Sequence, residues 1–204
     1  MELNPLTALS PIDGRYARQT DALRDIFSEC AFMNARVRVE VEWLISLSEA
    51  GFAELPHLSD HGKAFLRGLA DNFSLADCEA IKEIEKTTNH DVKAVEYWIK
   101  NQVAHDEELK SASEFVHFSC TSEDINNTSH AIMLKRGREA LADYLQQIHD
   151  TIAGFAHQWA EIPMLSRTHG QTASPTTVGK EFANVAVRLE RVIEAIRAVK
   201  IYAK

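Results

Sequence analysis

The sequence holds 204 residues, room for one large domain or two small ones, with 30 acidic against 22 basic side chains and a formal net charge of -8. That balance argues against a general nucleic-acid surface, no apolar run nears the roughly 20 residues of a membrane span, and the opening MELNPLTALS lacks a signal-peptide pattern. Gly and Pro number only 8 and 5, about 4% and 2% against typical values of roughly 7% and 5%, which predicts long elements, few turns and an all-α fold.

Residues 1–19, carrying Pro5, Pro11 and Gly14, predict an irregular polar lead-in. Leu23, Ile26 and Phe27 begin a helical stripe that Val37, Val41, Leu44 and Ile45 continue until Gly51 ends it. Phe65, Leu66, Leu69 and Phe73 predict a short helix. Ser74 followed by Asp77 reads as a capping box opening a segment with Ile81 and Ile84. Thr87, Thr88 and Asn89 interrupt that segment, and Val92, Val95, Ile99 and Val103 restart the spacing of three and four.

From about Ser122 to Ala160, Leu141, Leu145, Ile148, Ile152, Phe155 and Trp159 alternate steps of four and three, predicting one helix on the order of 55 Å long. From Val178 the rhythm is stricter: Val178, Phe182, Val185, Leu189, Val192, Ile196 and Val199 form a seam of the kind that packs long helices at shallow angles. The stretch 161–175, with Pro163, Gly170 and Pro175, is expected to be a connection between antiparallel neighbours. The last helix is expected to run into Lys204 without a cap, as in a fragment. Cys30, Cys78 and Cys120 are odd in number and lack metal-ligand spacing, so reduced packing cysteines in a cytoplasmic protein are expected.

Four polar clusters sit where helices begin or end. In Ser10-Pro-Ile-Asp-Gly-Arg15-Tyr16, Arg15 is either a phosphate clamp or an ordinary surface residue. Thr87-Thr88-Asn89-His90-Asp91-Val92-Lys93 falls at a helix start, where free N–H groups and the helix dipole favour anions; the plainer reading makes Asn89 or Asp91 an N-cap. In Glu114-Phe-Val-His117-Phe-Ser-Cys-Thr121-Ser122-Glu123-Asp124, Thr121 and Asp124 form a capping box. Capping needs one hydroxyl, yet two stand beside a histidine, a set suited to a carboxylate. In Ser166-Arg167-Thr168-His169-Gly170-Gln171 a histidine lies in a loop, where functional groups concentrate.

His90, His117 and His169 can titrate near neutrality, but their spacing suits no metal, and no glycine-rich phosphate loop or nucleophile elbow occurs. Acid–base chemistry on an anionic substrate without a cofactor is the reading that remains. The heptads taken alone predict assembly and no catalysis, as in a structural coiled-coil adaptor, a reading the four polar clusters oppose.

The four clusters, SPIDGRY, TTNHDVKAVEY, EFVHFSCTSEDINN and SRTHGQ, resemble stretches of the adenylosuccinate lyases of the fumarase/aspartase superfamily, in the same order. TTNHDVKAVEY and CTSEDINN prefer that family over argininosuccinate lyase, fumarase or aspartase. Thr172 departs from the Pro that relatives often carry after the Gln. The resemblance implies a small N-terminal helical domain over residues 1–110 and the first long helices of a central bundle over 111–204. It implies a β-elimination releasing fumarate from succinyl-AMP (adenylosuccinate) and from SAICAR, with no cofactor and no metal.

His169 becomes the general acid; Arg15 and Tyr16 hold the nucleotide end; Asn89, His90, Asp91, Thr121, Ser122, Thr168 and Gln171 contact substrate; and His117 lies near the phosphate. The family's base is a Ser on a Gly-Ser-Ser-x-Met-Pro loop that does not occur here, so the chain is expected to carry only the acid and part of the binding site. A homotetramer is also implied.

Overall fold

The computed structural model describes residues 4–55 and 57–204. After the turns of residues 4–20 and a 3-10 turn at Asp21–Leu23, helix α1 (Arg24–Phe27) is followed by α2 (Glu29–Glu49). The single stripe expected here is two helices. Ser28 leaves the helical region at ψ 164 and caps α2, its hydroxyl accepting from the Ala31 amide. Gly51, at φ 82, does follow the C-cap of α2.

Helix α3 (Asp60–Asp71) and α4 (Leu75–Thr88) follow, α4 opening on the Ser74–Asp77 capping box read in the sequence. Then come α5 (Asp91–Val103) and α6 (Glu107–Ala112), the latter without a counterpart in the periodicity. Val37, Val41, Leu44, Leu66, Ile81, Val95 and Ile99 meet in one core.

Cys30 of α2 and Cys78 of α4 are joined by a disulfide, with Cα atoms 5.7 Å apart. This corrects the expectation of three reduced cysteines: packing of α2 against α4 brings the pair within the bonding range. Cys120 is the free cysteine among the described residues, its thiol raised to about 11 first by burial, which keeps it a packing residue and no nucleophile.

Helix α7 (Ser122–Gln158) spans 37 residues. Its first turns belong to a compact unit formed with the preceding helices and Tyr202–Lys204, and the rest belongs to a second unit, Lys135–Ile201. In the second unit the expected connection is an antiparallel hairpin, β1 (Pro163–Thr168) paired with β2 (Gln171–Thr177). Helix α8 (Val178–Ala198) follows, capped by the Thr177 hydroxyl.

Two details of α8 differ from the sequence reading. Its buried line is Gly179, Ala186 and Ile193, one heptad apart and displaced from the expected seam. At its first position the backbones nearly touch: a Cβ on Gly179 would lie 2.4 Å from the Ala156 carbonyl oxygen. Val185 and Val192 of the expected seam are about half exposed, as are Leu141 and Ile148 of α7. The helix also stops at Ala198 instead of continuing to Lys204; Val199 has ψ 120, and its carbonyl accepts from the Arg138 guanidinium, 2.5 Å away.

Candidate functional site

The first unit gathers the second and third clusters. Asn89 ends α4 in the left-handed region at φ 49, which lets the chain reverse directly into α5. The N-cap of α5 is His90, neither Asn89 nor Asp91: its Nδ1 accepts from the Lys93 amide at 3.2 Å. Asp91 instead turns to Arg36 of α2, its Oδ2 2.5 Å from the guanidinium. Burial would raise the Asp91 carboxyl, but the Val92 amide and Arg36 outweigh that and hold it below its ordinary value.

Arg36 joins the two clusters. It is 3% exposed, donates from Nε to Asn126 of α7 at 2.8 Å, and lies 3.9 Å over the Phe32 ring. Sequence reasoning missed it, although Asn126 stands within the CTSEDINN stretch. A charged residue inside a helical stripe reads as solvated until its burial is seen.

Thr121 and Asp124 form the expected box at the start of α7. The Thr121 hydroxyl and amide both donate to Asp124 Oδ2, at 2.7 and 2.8 Å, and these bonds lower the carboxyl to about 2. Ser122 is left free for another role. Its Oγ lies 3.4 Å from His90 Nε2, so the starts of α5 and α7 meet through this pair. Two helix N-termini, an imidazole and a hydroxyl thus share one place, an arrangement that attracts anions.

His117 sits just before this turn, with φ 63 in the left-handed region and Nδ1 2.6 Å from Oε1 of Glu40 on α2. Glu40 was also missed, for the same reason as Arg36. The Glu40 hydrogen bond raises the His117 pKa over the opposing effect of burial. A cleft of about 580 Å³ adjoins the same loop, walled by Trp43, Ser119, Cys120 and Asp124, whereas His90, Asp91, His117 and Ser122 do not line it. The polar groups therefore mark the site better than cavity size does.

Arg15 and Tyr16 lie in the exposed N-terminal turn, the guanidinium 5.7 Å from the Tyr16 ring centre. The second unit carries the fourth cluster. His169 and Gly170, at φ 50 and 75, are the central residues of a two-residue hairpin turn between the paired Thr168 and Gln171. Positive φ at both positions defines the type I′ turn, which matches strand twist, and Gly170 supplies the conformational freedom. His169 is thereby presented, exposed, at a hairpin tip. Among the described residues no group of three or more His, Cys, Asp or Glu is placed to hold a metal, and no helix is long and apolar enough to cross a membrane.

The long-helix frame is shared with solved structures of a cycloisomerase and a lyase. The chain is similar in fold to β-carboxy-cis,cis-muconate cycloisomerase from Acinetobacter calcoaceticus sp. ADP1, with TM-score 0.66 and 20% identity over 88% of this chain and 40% of that one. It is likewise similar to fumarate lyase from Mesorhizobium sp. BNC1, with TM-score 0.61 and 20% identity over 90% and 42%.

Residues 14–203 match the Lyase family, and the chain belongs to it. Over its whole length it is 53% identical to adenylosuccinate lyase from Vibrio cholerae, and 52% identical to those from Haemophilus influenzae and Escherichia coli K12. The chain spans 45% of the length of each of these relatives.

Proposed function

We propose that the gene product carrying this chain is an adenylosuccinate lyase, eliminating fumarate from adenylosuccinate to leave AMP, and from SAICAR to leave AICAR. The observation that carries the reading is identity above 50% to enzymes of that name over the whole length of the chain. In the reaction a base takes the proton from the succinyl carbon beside a carboxylate, and the charge spreads into that carboxylate. The C–N bond then breaks, the C=C bond of fumarate forms, and His169 delivers a proton to the departing nitrogen. His90, Ser122, Asn89, Asp91 and Thr121 serve the anionic succinyl arm, His117 the phosphate, Arg15 and Tyr16 the nucleotide end, and Thr168 and Gln171 flank the acid. The base belongs to a part of the gene product outside residues 1–204.

Residues 1–110 form the N-terminal helical domain in this reading, and 111–204 open a bundle. Val185, Val192, Leu141 and Ile148, each about half exposed, are covered by further helices of a homotetramer in the cytoplasm. Purified gene product offered adenylosuccinate, SAICAR, argininosuccinate, malate and aspartate should release fumarate from the first two only. Turnover of argininosuccinate, malate or aspartate in their place would assign it to another branch of the fold.

A narrower expectation concerns the two hydroxyls. Thr121→Ala combined with Ser122→Ala should cost about 1 kcal/mol of stability through the lost cap and should also raise KM for adenylosuccinate at least tenfold. A lower melting temperature with unchanged KM and kcat would reduce the pair to a cap.

A further inference from the structure

The first unit buries one carboxylate that the proposed chemistry leaves unused. Glu40 stands in the middle of α2, with a fully buried side chain. Oε1 meets His117 Nδ1 at 2.6 Å, and Oε2 is buried with no hydrogen-bond partner among the described residues. The other buried carboxylate among the described residues is treated differently: Glu96 of α5, 4% exposed, is met by Lys93 at 2.8 Å and by Lys100 at 3.3 Å. Glu40 has no Lys or Arg ion pair among the described residues, and an ionised carboxylate in such a place needs a cation. His117 is the group in position to be that cation.

The His117 backbone is held to match. Its left-handed φ of 63 is uncommon for a residue with a side chain, and Ser119 repeats it at φ 61. Trp43, one turn beyond Glu40 on α2, fastens the same loop by donating from Nε1 to the Phe118 carbonyl at 2.8 Å. With Nδ1 engaged, the polar hydrogen that remains on the imidazolium is at Nε2, and the side chain keeps 18% of its surface open to solvent.

We infer that Glu40 is a positioning residue that acts through His117, holding its imidazole as a cationic Nε2–H donor for an anionic group of the substrate. The inference rests on the lyase reading for the identity of that substrate; the shared chemistry is an oxyanion, either phosphate or carboxylate. The charged groups around His117 come from two helices: Glu40 of α2 and Glu96 of α5 favour its protonation, and Lys93 of α5 opposes it. Since the folded pKa lies above the unfolded one, the stability this pair contributes is full below about pH 6.5 and is lost as pH rises through the folded value.

The test is a titration of the His117 ring by NMR in the full-length gene product, beside AMP and fumarate binding from pH 6 to 9, for wild type, Glu40→Gln and Glu40→Asp. AMP or fumarate affinity should fall about tenfold per pH unit above the His117 pKa, and which of the two does so identifies the phosphate or the carboxylate as the partner. Glu40→Gln should lower that pKa by about one unit or more and move the loss of affinity with it, and Glu40→Asp should restore part of both. A His117 titration unmoved by Glu40→Gln overturns the inference and leaves the lyase reading intact. A pKa that moves while neither affinity follows also overturns it. Wild-type protein that releases no fumarate fails the lyase reading separately, because the ring titration needs no turnover. If Glu40→Gln is not folded by circular dichroism, the same comparison is made on Glu40→Asp alone, which should show a smaller downward shift.

Discussion

Replacing His169 by alanine should lower kcat for adenylosuccinate by roughly 10²–10⁴-fold, the usual range for loss of a general acid, while substrate still binds. The tip of the β1–β2 hairpin explains why the effect should be so clean. The turn needs positive φ at residues 169 and 170, and alanine adopts that at position 169 with modest strain, so the hairpin register between Thr168 and Gln171 persists. No element of either unit depends on the imidazole for a hydrogen bond among the described residues. Loss of rate with little change in melting temperature is therefore expected, and a variant retaining most of the wild-type kcat would remove His169 from the role. A substrate with a better leaving nitrogen should lose less rate than adenylosuccinate, because it needs the acid less.

The second large effect concerns stability. Reducing the Cys30–Cys78 link, or replacing both residues with serine, should destabilise the first unit by about 4 kcal/mol. That figure is the unfolded-chain entropy removed by closing a loop across the 48 residues that separate the two cysteines. Cys78 is buried in the core beside Ile81 and Val37, so serine there adds the cost of burying a hydroxyl. Comparing oxidised and reduced wild type isolates the entropic part. Alkylation under denaturing conditions followed by peptide mapping should label Cys120 but neither Cys30 nor Cys78 before reduction, and all three of these positions after it. Labelling of Cys30 and Cys78 in the untreated protein, or a denaturation midpoint unmoved by reductant, would count against the link.

The elements that can be read without a structure are those whose signal is local. The capping boxes at Ser74–Asp77 and Thr121–Asp124 need only residues three apart, and both form. The length of α7 follows from its unbroken rhythm, and Gly51 marks the end of α2. Ser28 escapes notice because apolar residues on both sides keep helical spacing while one extended residue divides the helix. The hairpin at 163–177 has a signal of its own: His-Gly between Thr168 and Gln171, with Thr172, Thr176 and Thr177 in the strand that follows. The prolines at its two ends suggest a loop instead.

What stays hidden depends on burial or on distance along the chain. Arg36 and Glu40 are ionisable residues on a helix, and spacing alone assigns them to water; only the packing of α2 places them next to Asp91, Asn126 and His117. The pairing of Cys30 with Cys78 is tertiary in the same sense. In α8 the apolar residues set the rhythm, yet Gly179, Ala186 and Ile193 form the buried line, and close backbone approach requires glycine at its first position. The polar clusters are legible as clusters. That the second and third are one place, tied by Arg36 and by His90 with Ser122, is legible only in the fold.

The most direct measurement of the account is the product balance of one reaction. The full-length gene product is mixed with adenylosuccinate, with no cofactor added, and followed by proton NMR. Fumarate and AMP should appear in equal amounts as the succinyl signals disappear, with His169→Ala at least about 100-fold slower. Adenylosuccinate left intact by folded wild-type protein, or AMP formed without fumarate, would contradict it.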